Sequence, residues 1–240
     1  MAVDASTYPE HVGHGAMPKL NIDLRFAIIA LEPFAARRHV EVALKRIQRL
    51  EEDIRGLVLE ELRANGYEDD DVERSIAYQE IYHLEEELPR LEAYAAIFVL
   101  FASFESVVKR LPHYVGPWNP ADVTKGKGDG FIGKAARFYR ETVGVPLFSD
   151  QPQEQFIRNI AALRHAIAHA TGQFSMLNSA ASTRISRIVA TDDRVRLDGD
   201  RIQIDSSFIL EAAEAMNNAS RELIERLKKA YPRGTYTPQP

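Results

Sequence analysis

The run from Ala93 to Leu111 is almost continuously apolar, and its residues recur at helical spacing. Tyr94, Ile97, Phe98, Phe101, Phe104, Val108 and Leu111 fall on one stripe, which a globular chain must bury against other elements. The run stops short of the roughly 18 uninterrupted apolar residues of a membrane span. It therefore reads as a core helix, and no membrane association is expected. Glu105 lies inside the stripe, four residues after Phe101 and three before Val108. A carboxylate there is costly unless it is paired. Either an Arg from another helix, Arg164 or Arg158, meets it, or Glu105 sits at the stripe edge and reaches water.

Similar periodicity runs through most of the chain. Residues 23–64 form one helical stretch with a break or restart expected at Pro33, and with Leu31, Phe34, Val40, Val42, Ile47, Leu57 and Val58 among its apolar positions. Asn65-Gly66 stops it, and Asp69, Asp70 and Asp71 supply the cap and acidic first turn of the next helix. That helix covers about 72–110, with a kink expected at Pro89. The Pro- and Gly-rich segment 112–130 reads as a long loop. Helices follow at about 131–143 and 152–172, then a linker helix or loop to Arg187. Residues 188–205 alternate around Asp198-Gly199-Asp200, the pattern of a two-stranded hairpin. A last amphipathic helix spans about 207–230. The expected fold is an all-α bundle with a small C-terminal β-hairpin. The lead-in 1–22 and the tail 233–240 are expected to be flexible, around a single domain at 23–232.

The segment 154–172 carries the chemistry. On a helical wheel Phe156, Ile160, Leu163 and Ile167 share a core face. Arg158, Ala162, His165 and His169 share the opposite one, and Arg164 sits on the boundary. Two imidazoles one turn apart beside guanidinium groups suit RNA cleavage by attack of the 2′-hydroxyl on the adjacent phosphate. Imidazole titrates near neutral pH and serves as general acid or base. Guanidinium stays charged and matches phosphate oxygens. Two other readings remain open. The cluster is a solvated helix face, or the i, i+4 histidines bind zinc. Against zinc, position 166 is Ala where metalloproteases have Glu, and no nearby acid completes a ligand set.

Composition narrows the classes further. The chain has no Cys, which removes disulfides, thiolate catalysis and cysteine-ligated metals. Its net charge is -5, so any contact with RNA must be local rather than chain-wide. One local candidate is the basic stretch Lys125, Lys127, Lys134, Arg137 and Arg140, interleaved with Phe131, Phe138 and Tyr139. The other reading of that stretch is a solvated loop and helix face. Residues 1–20 lack a signal-peptide pattern, and a cytoplasmic location is expected.

Phe101-Ala-Ser-Phe-Glu-Ser-Val-Val-Lys109, followed about fifty residues later by Leu163-Arg-His-Ala-Ile-Ala-His-Ala-Thr-Gly172, resembles the HEPN superfamily. Its hallmark is Arg, a polar residue, three variable positions and His, matched here by Arg164, His165 and His169. His165 stands where Asn is commoner, and Glu105 matches an acidic residue on the earlier helix. The resemblance covers residues 94–172. It implies a helical bundle that dimerises with both motifs in one cleft, and a metal-independent endoribonuclease of a toxin–antitoxin or anti-phage system. Arg164 and His169 would be essential there, with His165 as a second polar contact and Glu105 as orienter. Arg158, Asn159, Lys134 and Arg137 are the expected RNA-binding residues. No cofactor and no metal are implied, and an antitoxin or other defence protein is the implied partner. One toxin branch carries Tyr two residues after the motif His, as the target of a modifying partner. Position 171 is Thr here, so that regulation is not implied. Other members keep the fold and bind RNA or nucleotides without cutting.

Overall fold

The computed structural model describes residues 24–66, 71–126 and 129–232. The expected flexible ends, the caps at Asp69 and Asp70, and Lys127 lie outside them. Helices α1 (Leu24–Ala64) and α2 (Asp71–Arg110) form a long antiparallel hairpin. At about 1.5 Å per residue, each extends roughly 60 Å. Two short 3-10 turns, Leu111–Tyr114 and Asp122–Thr124, interrupt the loop that follows. Helix α3 (Gly130–Phe138) runs on into a π turn, Tyr139–Val143, which Gly144 closes at φ 73°. Then come α4 (Gln151–Ala170), α5 (Ser179–Thr191), strands β1 (Val195–Asp198) and β2 (Arg201–Ile204), and α6 (Ser206–Ala230). The fold is all-α, with one antiparallel hairpin pairing Val195 with Ile204 and Leu197 with Ile202.

Several sequence expectations need correction. Neither Pro33 nor Pro89 breaks its helix: both lie inside continuous helices. Residues 188–191 belong to α5, so the hairpin begins later than the alternation implied. In α1 the face turned inward is Phe26, Ile29, Pro33, Ala36 and Val40, and Phe34 is 60% exposed. Leu31 and Leu57 are also exposed. The stripe of α2 does form the centre of the core: Ile97, Phe101, Phe104, Val108 and Leu111 are buried, with Phe104 stacked on Phe148. The segment Glu86–Tyr114 has the length of a membrane span and contains an 18-residue window of mean hydropathy 1.7, but half of that window is buried inside the fold. That burial is what a core helix requires.

Candidate active site on α4

Helix α4 is fixed at both ends. Asp150 caps it by accepting from the Gln153 backbone N–H at 2.8 Å, and Pro152 and Glu154 suit its first turn. Its core side is wider than the wheel implied. Ile157, Ile160, Leu163, Ala166, Ile167 and Ala170 are buried, and so is Ala162, which was expected on the polar face. Phe156 is half-buried and packs on Phe208.

The C-terminal end is held tightly. Thr171 adopts the left-handed conformation at φ 49°, and Gly172 follows at φ 75°. An αL pair turns the chain sharply away from the helix axis. The Gly172 carbonyl accepts from Ile202 N–H at 2.9 Å, and Phe174 N–H donates to the Asp200 carbonyl at 2.7 Å. Tyr94 of α2 packs against Gly172 and donates its phenol to the Ile202 carbonyl at 2.6 Å. Thus α2, α4 and the β-hairpin meet one turn beyond the histidines.

His165 and His169 are both exposed, with ring centroids 4.4 Å apart and planes at 49°. Loss of solvent lowers the His165 pKa below its usual 6.5, and the nearby His169, Arg164 and Arg184 push it the same way. Two imidazoles this close carry two protons only at a Coulombic cost. Arg164 is half-buried, and its guanidinium carbon lies 5.5 Å from the centre of the Phe98 ring. Among the described residues no carboxylate pairs with it. Arg184 on α5, exposed and facing His165 electrostatically, is a cation the sequence pattern missed. Its helix was read as a linker, so no wheel placed it near α4.

The other site residues separate from this cluster. Glu105 does not meet an Arg of α4. It is half-buried and pairs with Lys109 one turn along its own helix. Neighbours at i, i+4 meet without any help from tertiary packing, and α2 supplied one. Arg158 pairs with Glu154 at 2.6 Å, again within its own helix. Asn159 accepts from Gln155 at 2.9 Å, and Lys125 is held by Asp122 at 2.6 Å. Arg137, Arg140 and Arg158 do converge on one cleft of about 420 Å³, with Asp129 and Glu141 on its wall. Lys134, Asn159 and the two histidines do not line that cleft. Among the described residues no group of three or more His, Asp or Glu is placed to hold a metal ion.

Compared with family models, with curated proteins and with solved structures, the chain matches none of them.

Proposed function

We propose that the chain is an endoribonuclease that cleaves by 2′-hydroxyl attack without a metal, as its resemblance to the HEPN superfamily implies. The observation that carries the reading is the exposed His165–His169 pair beside Arg164, a cation left without a carboxylate partner among the described residues. An unpaired guanidinium on an aromatic face keeps its donors for a phosphate. An imidazole exchanges its proton near neutral pH and can serve as the base or the acid that transesterification needs. The lowered pKa of His165 suits it to the part of base.

In-line displacement puts the base and the acid on opposite sides of phosphorus. Rings 4.4 Å apart leave no room for a phosphate between them. The reading therefore calls for a second copy of α4 across a two-fold axis, one chain giving the base and the other the acid. A toxin or anti-phage role, an antitoxin-like partner and a cytoplasmic location belong to the same proposal.

The test is cleavage of labelled RNA in EDTA. Wild type should cut, and Arg164→Ala and His169→Ala should lose at least about a hundredfold while keeping the fold. No product from the wild type in any oligomeric state would refute the proposal. A second reading, an RNA-binding adaptor that does not cut, is favoured by one observation: Glu105 holds Lys109, and no other acid among the described residues orients Arg164. It expects RNA binding without products.

A further inference from the structure

Away from α4, the middle stretches of α1 and α2, the β-hairpin and the start of α6 line an open pocket of about 860 Å³. That is large enough for a small organic ligand. Its walls include Leu44, Pro89, Ala93, Ile204 and Ile209, and four cations, Arg37, Lys45, Arg90 and Arg196. Arg90 is the unusual one. It is only 3% exposed, ion-paired through one terminal nitrogen with Glu87, and laid 5.7 Å from the Tyr94 ring centre. Its Nε is buried and has no hydrogen-bond partner. A buried donor left unpaired is costly and is satisfied when an acceptor arrives.

The acids of the pocket are mostly committed elsewhere. Glu41 is held by Arg37 and Arg38, Glu211 by Arg194, and Asp205 caps α6 through Ser207. Glu86 and Glu214 are exposed and keep their water. Lys45 and Arg196 are exposed and neither makes a salt bridge among the described residues, though the charge of Arg196 acts on Asp205. Two cations without a salt bridge thus stand beside the apolar side chains of the pocket, with Glu86 and Glu214 on the same walls.

We propose that this pocket binds a small organic anion, an apolar or planar body carrying a phosphate or carboxylate. The anion is held by Lys45 and Arg196 at the mouth and by Arg90 deeper in. The site shares no residue with the α4 cluster and does not depend on the nuclease reading.

The experiment is thermal unfolding of the whole chain with phenyl phosphate, benzoate, inorganic phosphate and phenol. Phenyl phosphate or benzoate should raise Tm with the logarithm of concentration above Kd, by about 3–5 °C at roughly tenfold over Kd. Phenol and inorganic phosphate, each with half of the chemistry, should do far less. The better of the two organic anions identifies the acidic group. Lys45→Ala and Arg196→Ala, at exposed positions, should each weaken binding about tenfold, and Glu214→Gln should strengthen it. Binding should persist in His169→Ala. The proposal is overturned if neither organic anion binds below about 10 mM. It is equally overturned if both cation variants bind as wild type does.

Discussion

Replacing Gly172 with Ala sets a methyl group where Tyr94 already sits. A Cβ built there lies 2.0 Å from the phenol oxygen and 2.5 Å from the ring carbon that bears it. The ring cannot tolerate such contacts, so Tyr94 must move, and its hydrogen bond to Ile202 breaks. A buried hydrogen bond lost with its acceptor left unpaired costs about 1–3 kcal/mol. Holding Ala at a positive φ costs about 1–2 kcal/mol more, since Gly172 stands at 75°. Repacking of Tyr94 against α4 and β2 adds to both, and the total is about 3–5 kcal/mol. Urea unfolding followed by circular dichroism measures it as a fall in the midpoint at unchanged slope. Tyr94→Phe alone should cost about 1–2 kcal/mol, and the double variant less than the sum, because the two changes act on one contact. A loss below about 1 kcal/mol for Gly172→Ala would refute the claim that this contact frames the end of α4.

Other outcomes can be checked in the same way. Thr171→Gly relieves a β-branched residue at φ 49° and should stabilise the chain by about 0.5–1 kcal/mol, seen as a Tm rise of about 1–4 °C; a fall in Tm would contradict it. His165 has a lowered pKa, so below about pH 6.5 the unfolded chain binds more protons than the folded one. Stability is therefore full above that pH and declines as pH falls towards the folded pKa. His165→Gln should flatten this part of the profile, and an identical profile in the variant would count against the assignment. Phe98→Ala removes the ring under Arg164 and should cut RNA turnover about two- to fivefold in the EDTA assay, with unchanged turnover as the contrary result. Glu105→Gln breaks only a part-exposed pair within α2 and should cost no more than about 1 kcal/mol in urea unfolding. A larger loss would mean that Glu105 reaches beyond Lys109.

Features set by local periodicity were readable before the structure. The α2 stripe through Ile97, Phe101 and Phe104 and the His165–His169 spacing follow from 3.6 residues per turn alone. Features set by a partner element were not. In α1 several apolar registers compete, and only packing against α2 and α6 selects Phe26, Ile29 and Val40 over Leu31 and Phe34. The same holds for Ala162, a residue small enough to suit either face, which the neighbouring elements bury. Glu105 illustrates a choice between a local and a distant cation, and Lys109 on the same helix prevailed. Pro weakens a helix locally, yet no break occurs at Pro33 or Pro89, because tertiary packing sustains both helices. Arg90 and Arg184 had no sequence signal at all. The orphaned nitrogen of one and the influence of the other on His165 exist only after distant segments meet.

The clasp between Gly172 and Ile202 also bears on synthesis. Every member of the Arg164–His169 motif leaves the ribosome well before residue 202 does, yet the carbonyl that anchors the helix end waits for that later amide. Tyr94, made far earlier, waits for the same residue across 108 positions. A nascent chain stopped just after α5 therefore contains all the proposed chemistry without the frame that aims it. Loop closure over such separations is slow, so the end of α4 gains its anchor only after residue 202 has been made.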